Sequence, residues 1–156
     1  LPDGWYQTMS LAAMQKVIAL LPREFEGQRI PVIMFTKGGG IWLNDMAQVG
    51  ADVIAIDWTM SLSKARKQLL ALGKPLALQG NLDPLILFSE PEQIAKQASL
   101  LLDDLAAAPA LKPGLHALDG HVFNLGHGIS QFTPPESVSV LAETVINHSK
   151  ALRSKH

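Results

Sequence analysis

The sequence contains no cysteine, and this absence excludes disulfide bonds, thiolate catalysis and every zinc site that uses cysteine ligands. It is also consistent with a reducing compartment, and we expect a cytoplasmic protein. Charged residues make up only 17% of the chain and the net charge is -1, so we expect no basic surface for nucleic acid or for an anionic membrane. The longest apolar runs end well before the length of a membrane span, so we expect no transmembrane helix.

The first residue is Leu1 rather than Met, and the segment after it has neither a charged signal region nor a cleavage motif. We therefore expect the chain to begin inside a longer one. Its 156 residues are enough for one domain with a hydrophobic core, and no linker or internal repeat divides them. The sequence predicts a single segment over residues 1–156.

Apolar runs and helical periodicities alternate along the chain. Near-continuous apolar runs are typical of strands buried on both faces, and they occupy residues 30–36, 52–57, 75–79 and 121–125. Helical spacing predicts helices over 2–25, 41–49, 61–72 and 92–107, and a last helix that begins after Thr133-Pro-Pro and continues beyond Val145. The first helix is predicted to bury Trp5, Met9, Ala13, Val17 and Leu20 or Leu21. The third is predicted to direct Lys64, Arg66 and Lys67 to solvent.

Strands that alternate with helices imply an α/β fold with a parallel sheet and right-handed crossovers. The four strands could form a small open sheet or half of an eight-stranded barrel, and periodicity does not choose between the two. In either case the chemistry lies where strands lead into helices, which here means the loops 36–40, 57–59, 80–84 and 125–128. The loops at the opposite end, 26–29 and 106–120, are interpreted as ordinary surface.

Polar residues of the first three loops have more than one interpretation. Lys37 precedes three glycines whose amides could cradle an anion or simply form a tight turn; a P-loop is excluded because no Gly-Lys-Ser/Thr follows. Asp57 could be a general base, an ion-pair partner of Lys37 or a helix N-cap. Asn81 and Asp83 precede Pro84, where Asx turns and caps explain both.

The fourth loop places His127 between Gly126 and Gly128. Glycine on both sides permits unusual backbone angles and removes bulk around the imidazole. The ring could therefore meet a ligand as a hydrogen-bond donor or an acid/base group, although a structural histidine is the alternative. The remaining histidines show no metal-ligand spacing, so no metal site is expected; they are His116, His121, His148 and His156.

Several motifs occur in an order that resembles one enzyme family. They are Pro-Val-Ile-Met-Phe-Thr-Lys-Gly-Gly at 31–39, Ile-Asp-Trp-Thr at 56–59, Ala-Leu-Gln-Gly-Asn-Leu-Asp-Pro at 77–84, Asn-Leu-Gly-His-Gly at 124–128 and Pro-Pro-Glu at 134–136. Together they resemble the uroporphyrinogen decarboxylase family over roughly residues 5–150.

The resemblance implies a (β/α)8 barrel, usually a homodimer, of which this chain supplies the last four strands and therefore the C-terminal half. The family removes carbon dioxide from the four acetate arms of uroporphyrinogen and leaves coproporphyrinogen, without cofactor or metal. Each protonated pyrrole ring serves as its own electron sink, so the protein mainly positions the substrate and stabilises charge. His127 matches the family's substrate-contacting histidine.

The resemblance also implies that the family's other site groups precede Leu1: the arginine-rich loop, the aspartate that holds the pyrrole nitrogens, the tyrosine and the Ser/Thr. No catalytic residue is then expected in this segment, and the segment alone should be inactive. One alternative is a zinc-dependent corrinoid and coenzyme M methyltransferase relative, but Ala77 and Gln79 stand where that class carries its His-x-Cys zinc motif. The other alternative is a non-catalytic half-barrel that acts as a binding or assembly module.

Overall fold

The computed structural model describes residue 2 and residues 4–154, so Leu1, where the sequence begins, and His156 lie outside the described residues. The strands are β1 (Glu24–Phe25), β2 (Gln28–Arg29), β3 (Ile33–Phe35), β4 (Val53–Ala55), β5 (Ala77–Leu82) and β6 (His121–Leu125). The α-helices are α1 (Ala12–Leu20), α2 (Leu43–Met46), α3 (Leu62–Ala71), α4 (Pro91–Ala106) and α5 (Pro135–Arg153). A π-helical segment, Tyr6–Leu11, leads into α1, and 3-10 helices occupy Gly39–Trp42 and Pro84–Phe88.

The main sheet has four parallel strands in the order β3-β4-β5-β6, which is also their order in the chain. Helices connect the successive strands, so the predicted α/β class with four parallel strands alternating with helices is confirmed. A doubly wound sheet reverses its strand order and carries helices on both faces, whereas consecutive strands of a (β/α)8 barrel run in chain order. The architecture is therefore that of half a barrel. Within the described residues, no helix has both the length and the hydropathy of a membrane span.

The two faces of this sheet differ in burial. Side chains alternate between the faces of a strand, and the face under the helices holds the buried side chains of Met34, Ile54 and Leu78. The opposite face leaves large apolar side chains between 42% and 48% exposed, namely Ile33, Phe35 and Val122. We refer to this side of the sheet, with the register row of Phe35, Ala55, Gln79 and Val122, as the concave face. Most of the hydrophobic core lies on the helix side of the sheet, around Leu43, Leu69 and Leu105.

Local sequence signals account for the helix boundaries. The Ser61 hydroxyl accepts a hydrogen bond from the Lys64 amide at 3.2 Å and caps α3. Pro91 opens α4 with Glu92 in its first turn, and Lys150 lies in the last turn of α5, as the helix dipole favours. Both ends of α3 and α4 and the start of α5 lie within about two residues of their predicted positions, which is the usual uncertainty of helix boundaries.

Two features near the strands differ from the prediction. Strand β5 continues to Leu82, because Asn81 pairs with Asn124 and Leu82 with Leu125; Gly80, Asn81 and Leu82 were expected in a loop. Strands β1 and β2 form an unpredicted two-stranded hairpin. An ion pair of 2.6 Å between Arg23 and Asp52 ties the chain beside this hairpin to the segment that leads into β4.

The buried face of the first helical segment was predicted wrongly. Trp5, Met9, Val17 and Leu20 are 57–86% exposed, whereas the side chains that reach the core are Tyr6, Leu11 and Ile18. Between Tyr6 and Leu11 the π-helical hydrogen bonds span five residues and shift the angular positions that a 3.6-residue period assumes. In the α-helix that follows, Leu11 and Ile18 define the buried face, and Val17 and Leu20 lie off it.

The prediction that Arg66 faces solvent was also wrong. Lys64 and Lys67 are exposed, but Arg66 is fully buried. Its guanidinium donates hydrogen bonds to the carbonyl oxygens of Ala117 at 3.4 Å and of Asp119 at 3.2 Å. The connection 106–120, interpreted from sequence as ordinary surface, is therefore fixed to α3, and its Leu118 side chain is only 3% exposed.

Candidate functional site

Asp57 lies at the carboxyl end of β4 and connects two of the four loops at this end of the sheet. Its Oδ2 accepts a hydrogen bond from the backbone N–H of Gly38. Its Oδ1 accepts bonds from the Thr59 amide at 3.1 Å and from the Thr59 hydroxyl at 2.5 Å. The side chain is only 2% exposed, so both carboxylate oxygens are committed to holding the backbone of the loops 36–40 and 57–59.

The electrostatics of Asp57 favour its charged form. Burial raises its pKa, but the hydrogen bonds from Thr59 and Gly38, together with the positive charge of Lys37, more than offset this effect and leave the pKa of Asp57 below its ordinary value. A general base or acid for neutral pH needs a pKa much nearer 7. Of the alternatives drawn from the sequence, the geometry supports a structural anchor rather than a proton-transfer group.

Asn81 ties the third loop to the second. Its buried Nδ2 donates to the carbonyl oxygens of Asp57 at 2.7 Å and Met60 at 2.5 Å. Asp83 accepts a hydrogen bond of 2.9 Å from the Leu85 amide and caps the 3-10 helix that follows. The cap predicted for Asp83 is therefore confirmed, whereas Asn81 has a structural role other than the predicted Asx turn or cap.

The glycine loop after β3 is a tight turn. The amide of Gly38 is bound by Asp57, and the amide of Gly39 donates to the Thr36 carbonyl oxygen at 2.9 Å. Gly38 has a φ of +70°, and a Cβ at Gly39 would lie 2.9 Å from both Thr36 and Met46. Because the amides of Gly38 and Gly39 are already occupied, they are not available to an anion, and the turn interpretation is favoured.

The glycine before His127 is required for space. A Cβ at Gly126 would lie 2.5 Å from Trp58 Cε3 and 3.1 Å from the Asp57 Cα, whereas a Cβ at Gly128 would meet nothing within 4 Å. Neither Gly126 nor Gly128 has a positive φ, so the small size of Gly126 is what the structure uses. The close approach at Gly126 brings the fourth loop against the second.

The imidazole of His127 packs edge-to-face against the indole of Trp58, with ring centroids 4.7 Å apart and an interplanar angle of 69°. Its Nδ1 lies 2.7 Å from the Gly128 carbonyl oxygen. Because a carbonyl oxygen only accepts, Nδ1 carries the proton of this bond. Nε2 has no hydrogen-bond partner in the described part of the chain, so it is the ring atom available to a ligand.

A cavity of about 330 Å³ opens on the concave face at this end of the sheet. His127 lines it together with Phe35, Ala55, Ile56, Gln79, Asn124 and Leu125. Sequence reasoning did not predict that Phe35, Gln79 or Asn124 would line the site. The sequence pattern that could have identified them is the alternation of side chains along a strand. It places Phe35 and Gln79 in one row of the register, and Asn124 two residues beyond Val122 on the same face.

The other described histidines have structural contacts. His121 donates from Nε2 to the Gly80 carbonyl oxygen at 2.8 Å; burial lowers the pKa of His121, with a smaller opposing effect of this hydrogen bond. His116 accepts a bond of 3.1 Å from the Leu118 amide, and His148 lies 2.7 Å from the Asp103 carboxylate. Over residue 2 and residues 4–154, no three potential metal-binding side chains of His, Cys, Asp or Glu come together.

Comparison with known proteins identifies relatives of the whole segment. The family model described as "Uroporphyrinogen decarboxylase (URO-D)" matches residues 1–148. A uroporphyrinogen decarboxylase of Ralstonia nicotianae is 54% identical over 155 residues, which are 99% of this chain and 40% of the relative. One of Cupriavidus metallidurans is 54% identical over 154 residues, or 99% of this chain and 39% of the relative. The chain thus spans about 40% of the length of these relatives.

A solved structure shares the fold at much lower sequence identity. A methyltransferase from Methanosarcina mazei superposes with a TM-score of 0.67 at 18% identity, over 92% of this chain and 37% of that protein. At this identity the likeness concerns the fold alone. The sequence match extends over nearly all of the residues that build the sheet and its four loops, and on that basis the chain belongs to the uroporphyrinogen decarboxylase family.

Proposed function

We propose that this chain forms part of an enzyme that decarboxylates uroporphyrinogen to coproporphyrinogen. Membership of the family supports the reaction. We further propose that the reaction needs no cofactor or metal, because a protonated pyrrole can accept the electron pair released with carbon dioxide. The protein then has to bind the substrate, orient its acetate arms and stabilise charge.

The observation that carries the proposal is the free Nε2 of His127 beside the cavity on the concave face. With Nδ1 held as a donor by Gly128, the neutral ring presents a lone pair at Nε2 and can accept a hydrogen bond from a pyrrole N–H. The protonated ring presents N–H instead and can donate to a substrate carboxylate. Either contact makes His127 a substrate-binding residue, and Trp58 holds the ring in place.

The complete active site is proposed to form only in a longer chain that contains this segment. Residues 1–156 act as a single segment, and the remaining length of the relatives would cover the exposed side chains of Ile33, Phe35 and Val122 and complete the barrel. The isolated segment is then inactive, because no catalytic residue is assigned to it. The intact protein is proposed to be a cytoplasmic homodimer, as the resemblance implies, that binds neither nucleic acid nor membrane.

The two alternative functions have less support. A zinc-dependent methyltransferase would need zinc ligands near the positions of Ala77 and Gln79, and neither side chain is a usual zinc ligand. A half-barrel that acts alone as a binding module would leave the concave face and the edges of β3 and β6 unpaired in solution.

The decisive experiment is a graft. The 155 residues of this chain that match the Ralstonia nicotianae relative replace the corresponding segment of that protein, whose 54% identity favours correct assembly. We expect the graft to convert uroporphyrinogen to coproporphyrinogen, measured by chromatography of the oxidised products, while the isolated chain gives no turnover. His127→Asn should lower kcat/KM by about tenfold to a hundredfold, as expected for loss of one hydrogen bond to a charged group.

The matched control is His148→Asn on α5, which removes a histidine outside the site. It should leave kcat/KM within about twofold, since the substitution touches neither the cavity nor the strand-end loops. A graft that is folded, by circular dichroism and gel filtration, but forms no coproporphyrinogen would disprove the proposed reaction. Equal losses in the two histidine variants would disprove the role of His127.

A further inference from the structure

Lys37 places a positive charge at the same end of the sheet as His127. It follows β3, and its side chain is exposed. Its Nζ lies 5.9 Å from the ring centroid of Trp58, and the same indole contacts the His127 ring at 4.7 Å. The ammonium and the imidazole are therefore neighbours of one aromatic side chain.

The nearby carboxylate does not neutralise Lys37 through contact. Both oxygens of Asp57 are already bound by Gly38 and Thr59, and Lys37 acts on the pKa of Asp57 only through its charge. The Lys37 ammonium has neither an ion-pair nor a hydrogen-bond partner over residues 4–154. An ammonium group carries three N–H donors, so this side chain keeps its full capacity to bind an anion.

The charges of the surrounding loops also favour anion binding by Lys37. The loops 36–40, 57–59, 80–84 and 125–128 contain no lysine or arginine other than Lys37. Their acidic residues, Asp57 and Asp83, use carboxylate oxygens to bind backbone amides. Uroporphyrinogen carries eight carboxylates, and a cationic group that meets one of them stabilises the bound substrate by a charge-assisted hydrogen bond.

We propose that Lys37 is a substrate-binding residue, whose ammonium binds one carboxylate of the substrate beside His127. This inference rests on the proposed function. Trp58 positions the lysine, since its ring face attracts the ammonium and leaves the N–H donors free. The flexible stem of a lysine allows the charge to follow carboxylates on arms of different geometry, which suits a substrate that loses its acetate carboxyls one after another.

The test is a binding titration on the graft described above, so that the site is studied in a complete chain. The probes are uroporphyrin, an octacarboxylate, and coproporphyrin, a tetracarboxylate, each followed by its visible absorption at low and high salt. Lys37→Gln should weaken uroporphyrin binding by about tenfold, the loss expected for one charge-assisted hydrogen bond. It should also reduce the salt dependence of the dissociation constant, and Lys37→Arg should retain most of the affinity.

The matched control is Lys96→Gln, which removes an exposed lysine from α4. We expect its affinity for both porphyrins to equal that of the unmodified graft. In turnover assays Lys37→Gln should raise KM for uroporphyrinogen and change kcat by less than about threefold, because the interaction is present in both the bound substrate and the transition state.

Three results would overturn the inference. The first is that Lys37→Gln binds uroporphyrin as tightly as the unmodified graft. This result counts even if the variant loses thermal stability, which would mean that another part of the longer chain pairs with the lysine. The second is an equal loss in Lys96→Gln. The third is an unmodified graft that binds no uroporphyrin. A graft that binds uroporphyrin but forms no coproporphyrinogen refutes the proposed reaction, and the assignment of Lys37 is then decided by the titration alone.

Discussion

Asp57 accepts a hydrogen bond from the backbone N–H of Gly38, which follows the adjacent strand and lies nineteen residues earlier in the chain. The two residues continue β4 and β3, whose parallel register brings Phe35 opposite Ala55. The bond therefore fixes the relative position of two neighbouring loops at the end of the sheet where His127 lies.

Replacing Asp57 by Asn should destabilise the protein. The amide nitrogen of Asn cannot accept the bonds that the carboxylate receives from Gly38 and Thr59, so a buried donor loses its partner. We expect the free energy of unfolding to fall by about 1.5–3 kcal/mol, measured by urea denaturation at pH 7. Asp103→Asn, at a half-exposed carboxylate of α4, should change it by less than about 0.5 kcal/mol.

The same variant has a predicted pH dependence. The pKa of Asp57 is lowered in the folded state, so the unfolded chain binds the proton first as the pH falls. The stabilisation is fully present above the ordinary value of 3.8 and is lost as the pH falls through the lower folded pKa. The stability difference between the wild type and Asp57→Asn should therefore shrink in acid. A difference that stays constant down to about pH 2 would contradict the assigned cause.

His121→Gln should remove a loss of stability that occurs at mildly acidic pH. Burial holds the pKa of His121 below 6.5, so the unfolded chain binds the proton first, and stability falls as the pH drops below that value. Glutamine can still donate to the Gly80 carbonyl oxygen but does not titrate. Between pH 8 and pH 5, the urea concentration at the midpoint of unfolding should therefore decrease more for the wild type than for His121→Gln. Parallel decreases would show that His121 titrates as it does in the unfolded chain.

Gly126→Ala and Gly128→Ala form a matched pair around His127. The methyl group at Gly126 would lie 2.5 Å from Trp58 Cε3, so the indole or the loop has to move. We expect a loss of about 1–3 kcal/mol of stability and a changed tryptophan near-ultraviolet circular dichroism signal. Gly128→Ala meets no atom within 4 Å and should leave both quantities nearly unchanged. Identical behaviour of the two variants would argue against the described contact.

Arg66→Ala should release the connection 106–120. The variant loses the hydrogen bonds to the Ala117 and Asp119 carbonyl oxygens and leaves a void in the core. We expect a loss of at least about 2 kcal/mol and faster hydrogen exchange over residues 115–120. Lys67→Ala, one residue further along α3 and exposed, should show neither effect. Unchanged exchange in Arg66→Ala would mean that other contacts suffice to hold the connection.

The sequence predicted those parts of the fold whose signals are local. The four strands of the main sheet follow from apolar runs, and α4 follows from Pro91 with an acidic first turn. Arg66 shows where residue type misled the prediction: it lies four residues after Leu62 and three before Leu69, on the buried face of α3. The helical spacing alone would have placed it there, but a charged side chain suggested solvent.

The candidate site was predictable in its position and less so in its contacts. Polar residues at strand ends converge because parallel strands end at one edge of the sheet, and His127 is found there with Asp57 and Asn81. The need for glycine at position 126 could not be predicted, because it arises from a contact with Trp58, a residue sixty-eight positions earlier. Steric fit of this kind depends on the packed chain and leaves no periodic signal.

The contact between Gly126 and Trp58 makes the two positions interdependent. The large ring of Trp58 leaves room only for glycine at position 126. A smaller side chain at position 58 would make room for alanine at 126, but it would also remove the ring against which the His127 imidazole packs. Among homologous chains we therefore expect covariation, in which a residue larger than glycine at position 126 accompanies a smaller side chain at position 58 and a differently oriented histidine at position 127.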